Sequence, residues 1–107
     1  MEVNPKFIVI NDNGVNVLIL MKVVYHKDIV AMCMNASSVK ILGGGWWKMD
    51  HENKKLTFYN ESADYGKPSY EAIKDCCDNY RVYSSPYDYD NDRFKDWNFN
   101  YESYKLD

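Results

Sequence analysis

The segment Leu42-Gly43-Gly44-Gly45-Trp46-Trp47 is the most informative stretch of this chain. It follows Val39-Lys40-Ile41, which includes two β-branched residues, so it predicts a strand that carries three successive glycines. Glycines within a strand remove side-chain packing, and they usually mark the close approach of another backbone or of a ligand. Trp46 and Trp47 continue this strand on opposite faces. Only one of them can therefore enter the core, and we expect the other to be exposed or at a groove.

A second strand and a loop of small residues follow this segment. Residues 55–59 (KLTFY) predict the strand, and residues 60–66 (NESADYG) predict the loop. Pro68 suits the first position of a helix, which we place at residues 68–79. This helix carries an apolar stripe made of Tyr70, Ile73, Cys77 and Tyr80. A loop that opens a helix leaves backbone N–H groups which, with the helix dipole, favour a bound anion.

Two strands and a short helix precede the glycine segment. Residues 6–10 predict the first strand, and Asn11-Asp12-Asn13-Gly14 is a turn that favours a hairpin. Residues 15–25 are almost continuously apolar, so the second strand should pair antiparallel with the first and be covered on both faces. Helical spacing of apolar residues then predicts a helix at about 27–35, followed by a connector at 36–38.

His26 stands at the junction between the second strand and the first helix, within Tyr25-His26-Lys27-Asp28-Ile29. The ordinary pKa of histidine suits proton transfer near neutral pH, so His26 is a candidate general base. The alternative is a helix-start histidine with only structural hydrogen bonds. The second histidine, His51, lies in a polar turn and is expected to be exposed.

The C-terminal part of the chain has a different character. Residues 81–83 predict a short fifth strand, and residues 84–92 are turn-like and acidic. From Arg93 onward aromatic and polar residues alternate. Trp97, Phe99 and Tyr101 stand at every second position, so they would share one face of a strand. We therefore divide the chain into a domain at residues 1–92 and an aromatic extension at 93–107. The extension could add a strand that packs on the domain, or on a second subunit in a homo-oligomer.

Composition limits the classes of function. The chain has 107 residues, 46% of them hydrophobic and 27% charged, which is ordinary for one globular domain. Its net charge of −3 disfavours general binding to nucleic acid. Neither a membrane span nor a signal peptide is expected. The bias toward Asn, Asp, Lys and Tyr hints at an AT-rich coding genome such as that of a virus. Without a signal peptide the expected location is cytoplasmic, in the host cytoplasm if the protein is viral.

The three cysteines do not form a disulfide pattern. Their number is odd, and Cys76 and Cys77 are adjacent. Together with Cys33 they are expected to be reduced and to behave as small apolar residues. The Cys and His spacings match no zinc motif, so no metal is expected.

Taken together, these segments resemble the phosphohistidine phosphatase family, also called the Janus/Ocnus group. The resemblance covers roughly residues 5–83. It rests on Lys6-Phe7 at the start of the first strand, the Tyr25–Ile29 segment, the glycine run, Lys54-Lys55, and Ser62-Ala63-Asp64-Tyr65-Gly66. It implies a mixed α/β (α+β) fold with a single small sheet of five to six strands and two helices. The expected order of elements is β-β-α-β-β-α-β.

The resemblance also implies a site without metal or organic cofactor. The histidine matching His26 would act as general base on a water that attacks phosphorus. The phosphate would be held by the backbone around Ser62, Ala63 and Asp64, and by the glycine run at Gly43 and Gly44. A lysine matching Lys6 would contribute positive charge. Trp46, if exposed, would suit stacking on a flat ring.

Three hypotheses for function follow from these observations. The first is hydrolysis of a phosphoryl group on a phosphorylated protein or small molecule, with phosphohistidine or another phosphoramidate as substrate. The second is a non-catalytic site that binds or sequesters a phosphorylated or nucleotide-like ligand. It is suggested because residues 17–21 are wholly apolar where the family has an arginine, and because Glu61 and Asp64 add negative charge to the loop. The third is a protein-interaction domain that uses the aromatic extension.

Overall fold

The computed structural model describes residues 2–33 and 39–105, and these form one mixed sheet with two α-helices. The strands are β1 (Asn4–Asp12), β2 (Val15–Val23), β3 (Val39–Asp50), β4 (Lys55–Tyr59), β5 (Val82–Tyr83) and β6 (Asn98–Asn100). The helices are α1 (His26–Cys33) and α2 (Tyr70–Asp78), and a short 3-10 helix follows at Glu102–Tyr104. The predicted class of fold is confirmed. The predicted order of elements was incomplete, because β6 follows β5 in the chain.

The spatial order of the strands is β5-β2-β1-β3-β4-β6. The β1–β2 hairpin is antiparallel, as predicted, and Asn13 and Gly14 turn it with positive φ values of 58° and 92°. β1 also pairs antiparallel with β3, and β3 with β4. Both edge strands are short and run parallel to their neighbours, β5 beside β2 and β6 beside β4. β1 and β3 therefore lie at the centre of the sheet, with β2 and β4 beside them.

The centre of the sheet is buried on both faces, and each face has its own apolar cluster. On one side, the α2 face, Phe7, Leu18 and Phe58 pack with Ile73 of α2. On the other side, the α1 face, Ile8 and Ile19 are among the residues that pack with Ile29 of α1. Because alternate residues of β2 enter the two clusters, the prediction that this strand is covered on both faces is confirmed.

Helix α1 begins at His26, one residue before the predicted start. The Asp28 carboxylate accepts from the backbone N–H of Tyr25 at 2.9 Å, and the Asp28 N–H donates back to the Tyr25 carbonyl at 3.0 Å. This reciprocal pair resembles a capping box and fixes the start of the helix. The predicted end of the helix near Asn35 and the connector at 36–38 lie outside the described residues.

Helix α2 begins later than predicted. Ser69 is its N-cap and accepts from the Ala72 N–H at 3.1 Å, so the helix starts at Tyr70. Placing Pro68 at the first helical position was wrong, because Pro68 precedes the cap. The loop at 60–66 is therefore separated from the helix by Lys67 and Pro68, and it does not open the helix directly.

The C-terminal segment is part of the main core. Phe94 and Tyr104 are 1% and 3% exposed and belong to the cluster on the α2 face. Trp97, Phe99 and Tyr101 pack against the same cluster, as their spacing at every second position suggested. The possible added strand is observed as β6. A homo-oligomer through this segment stays a prediction.

Within residues 2–33 and 39–105, no helix is long and apolar enough to cross a membrane.

Candidate functional site

The glycine run lies in β3 where three other parts of the chain approach the strand. A Cβ on Gly43 would lie 2.5 Å from the backbone nitrogen of Pro68, and one on Gly44 would lie 2.6 Å from the carbonyl oxygen of Phe7. A Cβ on Gly45 would lie 2.4 Å from the hydroxyl of Tyr104. Real Cβ atoms do not come this close to other atoms. The predicted close approach of other backbone is therefore observed.

Gly43 also takes part in a bulge. The pairing of β1 with β3 shifts between Val9 and Ile10, which face Gly43 and Ile41, so Leu42 is the extra residue. The φ of Gly43 is 143°, which L side chains rarely adopt. The bulge resets the alternation of the strand. As a result Gly44 and Trp46 lie on the α1 face, while Gly45 and Trp47 lie on the α2 face.

His26 is the only histidine that the structure buries within the described residues, with 5% of its surface exposed. Its Nε2 lies 2.7 Å from the Gly45 carbonyl oxygen. A carbonyl only accepts hydrogen bonds, so Nε2 carries the proton and donates it. In the neutral ring Nδ1 then keeps the lone pair. Gly44 leaves room for this arrangement, because a Cβ there would lie 3.0 Å from His26 Cδ2.

The surroundings of His26 favour the neutral imidazole. Burial lowers its pKa below 6.5, and the positive charge of Lys6 lowers it further, while the Gly45 carbonyl and Asp64 act in the opposite direction. The ring is therefore mostly neutral at pH 7, as a proton acceptor must be. His51 is exposed, as predicted.

Lys6 lies beside this histidine and in contact with aromatic rings. Its ammonium donates to the Val24 carbonyl. It also lies 5.4 Å from the centre of the Trp46 ring and 5.9 Å from that of Tyr25. Trp46 is partly exposed, whereas Trp47 is buried and its indole N–H donates to the Lys6 and Met21 carbonyls at 3.1 and 3.2 Å. The prediction that only one of the two tryptophans enters the core is confirmed.

Residues 62–66, which we call the Ser62 loop, are fastened directly to the glycine run. The Ser62 N–H donates to the Gly44 carbonyl at 3.0 Å, and the Gly44 N–H donates to the Gly66 carbonyl at 2.9 Å. Ser62 is 1% exposed, and its hydroxyl oxygen accepts from the amides of Asp64 and Tyr65 at 3.3 and 3.2 Å. The loop is thereby held against β3, next to the carbonyl that orients His26.

These bonds decide which amides of the loop remain available to a ligand. The N–H groups of Gly44, Ser62 and Asp64 each have an acceptor inside the protein. Among the described residues no acceptor contacts the N–H of Ala63, which is exposed. Asp64 is exposed as well, and its carboxylate is close enough to His26 to influence its pKa. Within this loop an anion would therefore meet one open amide, that of Ala63, and the carboxylate of Asp64.

The structure thus brings together most of the residues that the sequence singled out. His26, Lys6, Gly44 and Trp46 share the α1 face, and the Ser62 loop binds the same part of β3. Gly43 instead serves the bulge and the passage of the Lys67–Pro68 backbone. Sequence reasoning missed the Gly45 carbonyl as the group that orients His26. No side-chain pattern could have revealed it, because the contact uses backbone and arises only when α1 is placed against β3.

A comparison with protein-family models adds evidence on ancestry. The model of the Janus/Ocnus family (Ocnus) matches residues 11–86, which is more than half of the chain. The chain belongs to the Janus/Ocnus family. No curated protein matches it in a sequence search. In this Janus/Ocnus protein the matched residues contain His26, the glycine run and the Ser62 loop, whereas Lys6 precedes them and the segment from Phe94 to Tyr104 follows them.

Proposed function

We propose that this Janus/Ocnus protein hydrolyses a phosphoryl group bound to nitrogen, as in phosphohistidine or another phosphoramidate, with His26 as general base. The observation that carries the proposal is the hydrogen bond from His26 Nε2 to the Gly45 carbonyl. It fixes the ring and its tautomer, and leaves Nδ1 as the basic atom. Burial and Lys6 keep that atom unprotonated at neutral pH.

The reaction then needs one water and two proton transfers. Nδ1 of His26 takes a proton from the water, the water oxygen forms a bond to phosphorus, and the P–N bond breaks. The leaving nitrogen then takes this proton from His26, which returns to its neutral form, and the products are inorganic phosphate and the free amine or imidazole. The scheme uses no metal or organic cofactor.

Negative charge on the phosphoryl oxygens would be offset by Lys6 and by the open amide of Ala63. Such donors contribute most when they face charge that develops in the transition state. Asp64 opposes this stabilisation through its own charge. We therefore expect weak ground-state binding of a phosphate dianion and a marked dependence of turnover on Lys6.

The test is release of phosphate from phosphohistidine by the purified chain, beside His26→Gln and Lys6→Met. We expect turnover in the wild type, a loss of about a hundredfold or more in His26→Gln, and a smaller loss in Lys6→Met. His51→Gln is the matched control, because His51 is exposed and lies in a turn. Turnover that survives in His26→Gln, or is absent from the wild type, would refute the proposal.

A second candidate function is binding without catalysis. It is favoured by the amides of Gly44, Ser62 and Asp64, whose donors are already engaged inside the protein. A site with so few open donors can hold a phosphorylated or nucleotide-like ligand through other contacts without stabilising a transition state. Calorimetry that shows tight binding by a wild-type protein with no turnover would support this function over hydrolysis.

A further inference from the structure

One row of side chains crosses the α1 face of the sheet beside His26. The strand register pairs Lys6 of β1 with Trp46 of β3, and Trp46 with Tyr59 of β4. All three lie on the α1 face, because their neighbours Phe7, Trp47 and Phe58 belong to the cluster on the α2 face. Side chains of directly paired residues lie about 5 Å apart at Cβ, so Trp46 is in contact distance of both Lys6 and Tyr59.

This row lies beyond the part of the sheet that α1 covers most. The helix packs mainly on β1 and β2, whereas Trp46, Thr57 and Tyr59 are partly exposed and Lys48 is exposed. Two ammonium groups accompany the rings. Lys6 Nζ lies 5.4 Å from the Trp46 ring centre, and Lys48 Nζ lies 6.0 Å from that of Tyr59. The face therefore combines partly exposed aromatic surface with positive charge, although the chain as a whole is acidic.

Trp46 is tied to the proposed reaction site through the backbone. It follows Gly45, whose carbonyl orients His26, and it contacts Lys6, whose charge lowers the pKa of that histidine. A phosphoryl group held by Lys6 would place whatever carries it close to the indole.

We propose that Trp46, with Tyr59 beside it, is the specificity-determining subsite for a flat ring attached to the phosphoryl group. This inference rests on the proposed function for the position of the phosphoryl group. A planar heterocycle gains stacking energy from an indole that an alkyl chain does not. Two sources share this chemistry: the imidazole of a phosphorylated histidine and the base of a nucleotide.

Two pairs of probes test the inference, each differing in the presence of a ring. The first pair is phosphohistidine and phospholysine, and the second is adenosine 5′-monophosphate and ribose 5-phosphate. If the wild type hydrolyses phosphohistidine, the kcat/KM values of the first pair are compared. If it does not, the affinities of the first pair for the wild type are compared by calorimetry. The second pair is compared by calorimetry in either case. Failure of hydrolysis is thereby separated from failure of ring recognition.

The expected result is a preference of about five- to tenfold for the ring-bearing member of at least one pair. Trp46→Leu should abolish that preference and leave the ring-free probe unchanged, while Trp46→Phe should keep most of it. Tyr87→Leu is the control, since Tyr87 is an aromatic residue that is 72% exposed and outside the row.

A preference in the first pair alone identifies a phosphorylated histidine as the source, and one in the second pair alone identifies a nucleotide. The inference is overturned by equal affinity within both pairs, by a preference that persists in Trp46→Leu, or by equal losses for ring-bearing and ring-free probes.

Discussion

Replacing Gly45 with alanine tests the central structural claim, that the glycine run exists because other atoms occupy the space of its side chains. A Cβ at this position would lie 2.4 Å from the Tyr104 hydroxyl, 2.6 Å from the Tyr59 carbonyl oxygen and 2.8 Å from Cε1 of Phe7. The Tyr104 hydroxyl is not free to move, since it donates to the Asn60 carbonyl at 2.7 Å. The Tyr59 oxygen is backbone within β4.

The expected cost follows from these contacts. Inserting a methyl group into a packed site usually costs about 1–3 kcal/mol, and more when backbone must shift. Because three atoms are closer than 3.0 Å and one is backbone, we expect Gly45→Ala to lower the free energy of unfolding by about 3 kcal/mol or more. Urea unfolding followed by tryptophan fluorescence measures this change.

Two further variants separate the clash from other causes. A Cβ on Gly66 would meet no atom within 4 Å, but the φ of Gly66 is 73°. Gly66→Ala should therefore lower the free energy of unfolding only by the strain of an alanine in the left-handed region, about 1–2 kcal/mol. Tyr104→Phe should cost about 1 kcal/mol for the hydrogen bond to Asn60. In combination with Gly45→Ala it removes the closest of the three atoms, so the double variant should be more stable than the sum of the two single changes predicts.

The reasoning is refuted if the free energy of unfolding of Gly45→Ala lies within about 0.5 kcal/mol of the wild-type value. It is also refuted if Gly45→Ala is destabilised no more than Gly66→Ala. Strict additivity of Gly45→Ala and Tyr104→Phe would show that the Tyr104 hydroxyl is not the atom that excludes the methyl group.

Three other predictions each concern one side chain: His26, Phe94 or Ser62. Because burial lowers the pKa of His26 below 6.5, the unfolded chain binds more protons than the folded one just below that pH. The free energy of unfolding should therefore fall as the pH drops from 6.5, by at most about 1.4 kcal/mol per pH unit, and urea titrations should show a smaller slope for His26→Gln. Phe94→Ala should cost about 3–5 kcal/mol in the same assay, because Phe94 is 1% exposed; a loss under 1 kcal/mol would show that the C-terminal segment is not part of the core. Ser62→Ala should cost about 1 kcal/mol and speed hydrogen exchange of the Asp64 and Tyr65 amides, which donate to its hydroxyl; unchanged exchange would contradict the bonding described for this loop.

The local pattern of residues was enough to place most of the elements. Apolar runs and turn residues determined the β1–β2 hairpin, the position of β4 and the presence of both helices. The ends of the elements were less well determined. The start of α2 depended on Ser69 as N-cap rather than on Pro68, and β2 ended at Val23, two residues earlier than predicted.

Hydrogen bonds between distant segments could not be predicted in the same way. The sequence marked the Ser62 loop as a source of free amides, but the structure engages three of the expected donors with Gly44, Gly66 and the Ser62 hydroxyl. Those partners come from β3 and from the loop itself. Which amides stay free to bind a ligand therefore depends on how the loop packs against β3, and the sequence pattern does not predict that packing.

The sequence by itself determined the kinds of groups that this Janus/Ocnus protein has: a histidine at a helix start, a strand with three glycines, and a tryptophan pair that alternation must divide between two faces. Only the tertiary structure decided what those groups do. The bulge at Leu42 sets which tryptophan is buried, and the Gly45 carbonyl sets the tautomer of His26. The physical reason is that local pattern governs side-chain burial, whereas hydrogen bonding and pKa depend on atoms that folding brings together from remote parts of the chain.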